Sequence, residues 1–147
     1  MKSKDDISNL RIDTLGYYLD RALNVMVKRL NRLFSEHHID LQHSQYTILK
    51  VLWCQDGLSQ AQLSKILGKD PAAISRALNY LQQKGYVERV SLDTKTNAIY
   101  LTDYANKRKN EIEHIADLVT AISTTDISDE QKKLLEQLLE KIYFNSK

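Results

Sequence analysis

The sequence predicts a mostly helical protein with one small β-hairpin, and three observations lead there. Glycine and proline are scarce, four and one in 147 residues, so the chain offers few places to break a helix. Leu, Ile and Val recur at steps of three and four toward both ends. Between them, residues 86–91 and 97–101 are short and rich in Tyr, Val and Ile, and the mostly polar Leu92-Asp93-Thr94-Lys95-Thr96 joins them as a hairpin turn would.

Taken in order, Leu15, Leu19, Ala22, Met26, Leu30 and Leu33 fall at helical spacing, with Tyr18, Leu23 and Phe34 widening the stripe. They predict one long amphipathic helix from Ile7 to about His37. Ser35-Glu36-His37-His38 ends it, and a second helix runs from Ser44 to Cys54 before the turn pair Asp56-Gly57. Ser59-Gln60-Ala61-Gln62 has the form of a capping box, opening a short helix that reaches Leu67 and breaks at Gly68. Asp70-Pro71 starts the next helix, Asp70 as the side-chain acceptor at its positive end and Pro71 where a missing N–H costs nothing. That helix runs to Lys84 and stops at Gly85. Past the hairpin, Ile112, Ile115, Ala116, Val119 and Ile122 mark a further helix, which pauses at residues 123–126. A second capping box, Ser128 to Gln131, opens a last helix with Leu134, Leu135, Leu138, Leu139 and Ile142 along one side.

Two helices joined by a tight Gly-containing turn, the second followed directly by a hairpin, form the order of a winged helix-turn-helix. Residues 59–102 are therefore the expected DNA-binding unit. In the helix from Pro71, Ile74, Ala77, Leu78 and Leu81 make the buried stripe, leaving Ala72, Ala73, Ser75, Arg76, Asn79 and Gln83 outward. That face suits a major groove. Ala lets the backbone approach and touches a thymine methyl, Ser bonds phosphate or base, Arg pairs with guanine and Asn with adenine. The net charge of the whole chain is only +2, yet between Ser59 and Lys95 six basic residues against three acidic ones leave +3.

Other functions are poorly served. There is no uninterrupted apolar segment of membrane-spanning length and no leader-like start, so a soluble, cytoplasmic chain is expected. The single cysteine, Cys54, has no partner for a disulfide and reads as a small core residue at the end of its helix. His37, His38, His43 and His114 lack the spacing of a metal set, and no metal or other cofactor is expected. No phosphate loop, nucleophile elbow or acid pair with a matching base points to an enzyme.

With these elements placed, the chain resembles the MarR family of bacterial transcriptional regulators over nearly its whole length. Leu41, Gln45-Tyr46 and Ile48-Leu49 resemble the opening of that family's DNA-binding domain, and Ser59-Gln60-Ala61-Gln62-Leu63-Ser64 its first helix of the pair. Asp70 to Leu78 is similar to its recognition helix, Leu81 to Val87 to its exit, and Leu101-Thr102 to its wing closure. At the wing tip, where the family usually carries Asp-x-Arg, this chain has Asp93-Thr94-Lys95. The charge survives, the planar fork does not.

The resemblance implies a homodimeric repressor on a pseudo-palindromic operator. Its DNA-contacting residues would be Ser59, Gln60, Lys69, Ala72, Ala73, Ser75, Arg76, Asn79 and Lys95, with Asp93 orienting the wing. Residues 41–102 are expected as the DNA-binding domain, flanked by dimerisation helices in 1–40 and 103–147 that pair through Leu10, Leu15, Leu19, Leu134, Leu138 and Ile142. It also implies release by a small aromatic or anionic ligand where the dimer helices meet the DNA-binding lobe. Tyr17, Tyr18, Arg21, Tyr46 and Trp53 are the candidate lining, with Arg21 pairing the anion. The competing reading is a winged-helix dimer that binds protein or RNA without any operator.

Overall fold

The computed structural model describes residues 14–147. The chain runs α1 (Leu15–Glu36), α2 (His43–Cys54), β1 (Leu58–Ser59), α3 (Gln60–Leu67), α4 (Pro71–Gln83), β2 (Val87–Ser91), β3 (Asn97–Leu101), α5 (Asp103–Ser123) and α6 (Asp129–Ser146). Local chemistry sets most of these boundaries. At Ser59 and again at Ser128 the hydroxyl accepts the backbone N–H three residues on, and the Gln side chain there reaches back to the serine N–H, so both capping boxes form. Gly68 ends α3 in the left-handed conformation.

Asp70 departs from expectation. It stands at the N-cap of α4, but its carboxylate takes no bond from the first turn. Pro71 follows it, supplies no N–H and holds Asp70 extended at φ −57°, ψ 135°, leaving the side chain exposed.

The helices α2, α3 and α4 pack around a core that includes Ile48, Leu49, Leu63, Leu78 and Leu81, with Tyr86 and Ile99 closing it from the sheet side. The stripe predicted for α4, Ile74, Ala77, Leu78 and Leu81, is its buried face. Phe34 of α1 and Ile112 of α5 extend the same core, and these two helices lie against each other. Burying such side chains is worth about 1.5–3 kcal/mol each, so the lobe and the two long helices share one hydrophobic core.

The sheet has three strands rather than two. Its order is β1-β3-β2, all antiparallel, with Leu58 opposite Ile99 and Ser59 opposite Ala98. Asp56 prepares the extra pairing by accepting from the N–H groups of Gly57 at 3.0 Å and Leu101 at 2.9 Å. Gly57 adopts φ +75°, and a Cβ there would come 2.9 Å from Cε1 of Tyr100. The wing is thus stitched to the chain between α2 and α3 as well as to itself.

One further difference concerns what is covered. Cys54 is exposed, because it is the last residue of α2, where the chain leaves the core. No residue of α6 is buried, and Leu134, Leu138 and Phe144 are 55%, 45% and 56% exposed. Among the described residues no helix is long and apolar enough to cross a membrane.

Candidate nucleic-acid interface

The outward side of α4 carries Ala72, Arg76 and Asn79 exposed, with Ala73 and Ser75 half-covered. Ile74 and Leu78, on the opposite side, are the reason: they bind the helix to the lobe by one face and leave the other for solvent or a ligand. Gln83 is exposed at the end of the helix. Ahead of α4, Lys69 is exposed, while its backbone is pinned to Ser64, whose carbonyl takes the Lys69 N–H and whose hydroxyl donates to the Lys69 carbonyl. Its ammonium is left free to move on a fixed base.

The wing turn is held from within. One carboxylate oxygen of Asp93 accepts the backbone N–H of Lys95 at 2.8 Å and of Thr96 at 2.7 Å. These bonds, Lys95's first, hold the Asp93 carboxyl below its ordinary range. Asp93 therefore shapes the tip without pairing with the Lys95 ammonium. On the stem, Arg89 of β2 donates to Gln82 of α4 at 2.6 Å.

Between the starts of α3 and α4 and the wing lies a cleft of about 470 Å³, lined by Ser59, Gln60, Ser64, Pro71, Lys95 and Asn97 among others. Three of the predicted contact regions, the α3 start, the α4 start and the wing tip, thus border one concave surface. Among the described residues no hydrogen bond or ion pair engages the side chains of Lys69, Arg76 or Lys95. The ion pairs lie elsewhere, at Arg32–Glu36 and around Arg108. Cations left unpaired around a small, hydrogen-bonding helix face are what a phosphate backbone requires.

The residues expected around a ligand are not gathered in one place. Tyr17, Tyr18 and Arg21 sit together at the start of α1, with the Arg21 guanidinium 5.8 Å from the Tyr17 ring centre. Trp53 lies under Lys109 of α5. Tyr46 alone of the five lines a groove of about 220 Å³ between α1, α2 and α5, beside Met26, Leu30, His43, Lys50 and Asp117. Sequence spacing put Tyr17 and Tyr18 on α1 correctly, but the crossing of α1 over α2 brings Leu23 to Leu30, roughly one and a half to three turns later, over Tyr46. Lys50, which sequence reading passed over, places its ammonium 3.4 Å from the Tyr46 hydroxyl. Burial pushes the Tyr46 phenol up and His43 down, so both are neutral near pH 7 beside the Lys50 ammonium.

Of the residues expected at a dimer seam, Leu15, Leu134 and Leu138 are exposed and Leu19 and Ile142 half-covered, while Leu10 lies outside the described residues. No group of three or more metal-ligating side chains occurs among the described residues.

Residues 41–94, from the start of the lobe to the wing tip, match the model of the MarR family. The chain is 30% identical over 75% of its length to the HTH-type transcriptional regulator TtmR of Methylorubrum extorquens, and 32% identical over 61% to the multiple antibiotic resistance protein MarR of Escherichia coli. The aligned segments span 56% and 60% of those two relatives. Among solved structures, a mutant of Escherichia coli MarR complexed with operator DNA superposes with a TM-score of 0.77 at 24% identity, covering 87% of this chain and 92% of that one.

Proposed function

The chain belongs to the MarR family, and from that premise we propose that it is a transcriptional regulator that binds a pseudo-palindromic DNA operator as a homodimer. In this reading α4 enters the major groove, Arg76 and Asn79 reach base edges, and Ser59, Gln60, Lys69 and Lys95 hold the backbone on either side. The observation that carries it is the unpaired set Lys69, Arg76 and Lys95 around an outward face of small residues. That a structural relative of the same fold is complexed with operator DNA supports DNA as the partner. The exposed leucines of α6 support pairing of two copies, since an apolar stripe of that length is seldom left to water.

Regulation by a small molecule is the second part of the reading, and the groove at Tyr46 favours it. Its walls are mostly apolar, and the Lys50 ammonium at its rim suits an anionic head on an aromatic or aliphatic body. An occupant there touches α1, α2 and α5 at once, so it acts on the joint between the lobe and the long helices.

Titration of the full chain against random and enriched duplexes at two salt concentrations tests the main reading. Tight, salt-dependent binding with a clear preference for the enriched sequence is expected. Binding with neither preference nor salt dependence would remove the DNA reading and favour a protein- or RNA-binding module.

A further inference from the structure

Helix α4 is also fastened by hydrogen bonds along one flank of its last turn and just past its end. The Tyr80 hydroxyl donates to the backbone carbonyl of Asp40, in the loop between α1 and α2, at 2.6 Å. Just past the helix, the buried Tyr86 gives its hydroxyl proton to the Asp40 carboxylate at 2.5 Å and accepts a bond at 2.8 Å from Nη1 of Arg108, in the second turn of α5. Arg108 is held in turn by the Tyr104 hydroxyl at 3.0 Å, the Asp40 carboxylate at 3.5 Å and Glu111 at 2.5 Å. Thr102, the N-cap of α5, donates its hydroxyl to the Gly85 carbonyl at 2.5 Å and its N–H to the Tyr86 carbonyl at 3.1 Å.

These bonds reach α4 at two levels, through Tyr80 in its last turn and through Gly85-Tyr86 just beyond. Two attachments define an axis, where one would define only a point. Apolar packing alone is non-directional and lets helices slide, whereas charge-assisted hydrogen bonds are short and angular. The Arg108 side chain is only 18% exposed, so water does not readily replace a bond lost within the cluster. Burial first, and then the Asp40 carboxylate, hold the Tyr86 phenol far above its ordinary range, which keeps it a donor.

From this geometry we infer that Asp40, Tyr86 and Arg108 are positioning residues that fix the angle of α4 relative to α5, and so set the half-site spacing that the paired subunits accept. The inference rests on the operator-reading dimer proposed above. In such a dimer α5 belongs to the shared helical frame, and a small rotation at this joint is magnified at the base pairs.

The test uses the full chain. Wild type, Tyr86→Phe, Arg108→Gln and Arg108→Lys are titrated against the duplex that wild type enriches from a randomised library, and against that duplex with one base pair added or removed between its half-sites. Wild type is expected to lose about tenfold in affinity for each changed spacing, and Tyr86→Phe and Arg108→Gln only about threefold, with affinity for random duplexes unchanged. Arg108→Lys keeps the charge without the planar fork and falls between. Variants that keep the wild-type ratio overturn the inference, as do variants that weaken on every duplex in step with a falling Tm, because the cluster then only holds a loop. Failure of wild type to enrich any duplex is seen before a variant is made, and it overturns the operator reading and this inference with it.

Discussion

Nη1 of Arg89 donates to Oε1 of Gln82 across 2.6 Å, which braces the wing strand β2 against the last turn of α4. Arg89 sits opposite Ile99 in the sheet, so the brace acts at the middle of the hairpin rather than at its loose tip. Gln82→Ala is expected to speed amide exchange in β2 and β3 while lowering global stability by no more than about 1 kcal/mol, since the bond is exposed. Exchange rates equal to wild type would mean that strand pairing alone holds the wing.

Arg76 and Lys95 are expected to separate on DNA. Arg76→Ala weakens binding to the enriched duplex by ~1–3 kcal/mol and flattens preference at one base position, whereas equal loss on all sequences would make it a phosphate contact. Lys95→Ala weakens binding throughout and lowers the slope of affinity against salt by roughly one ion. An unchanged slope would contradict a wing contact.

The wing turn has its own pH response. Asp93 accepts two backbone N–H bonds, so its folded carboxyl titrates below the 3.8 of an unconstrained chain. Its contribution to the turn is fully present above that unfolded value and is lost as pH falls through the lower folded one. The amide resonances of Lys95 and Thr96 are therefore expected to shift together with a midpoint below 3.8, and to stop doing so in Asp93→Asn.

Gly57 faces two separate obstacles to substitution, its φ of +75° and the Tyr100 ring 2.9 Å from where a Cβ would stand. Gly57→Ala is expected to cost about 1–2 kcal/mol from the backbone alone, with steric strain added. Introducing Tyr100→Ala into that variant recovers the steric part only, as urea unfolding of the four proteins of the cycle measures. Full recovery would show that the backbone conformation carries no cost.

What was legible in the sequence was whatever a few neighbouring residues decide. Ser59 with Gln62, Ser128 with Gln131, Gly68 and Pro71 announced their boundaries because each signal closes within one helical turn. The α4 stripe was legible for the same reason. The strand Leu58–Ser59 was not, because two residues show no period and its partner Ile99 lies far along the chain. Cys54 was misplaced because apolar composition tells that a helix is buried but not where it emerges. Asp40, Tyr86 and Arg108 were silent individually, and only the folded chain brings the three together. Among the candidate site residues, those on α4 could be assigned a face from spacing, while those around Tyr46 depend on how α1 crosses α2, which spacing does not encode.

The tip of the wing separates shape from chemistry. Its turn is held by the Asp93 carboxylate on the main-chain N–H of residues 95 and 96, and the Lys95 side chain takes no part. Position 95 is therefore free to change by single mutations without refolding the loop, and a lineage can trade Lys for Arg, Gln or Ser there at almost no cost in stability. In the DNA-binding reading proposed above, an α4 held at a fixed angle beside a tip that is open to drift would give selection a fine adjustment of sequence preference that leaves the rest of the molecule untouched.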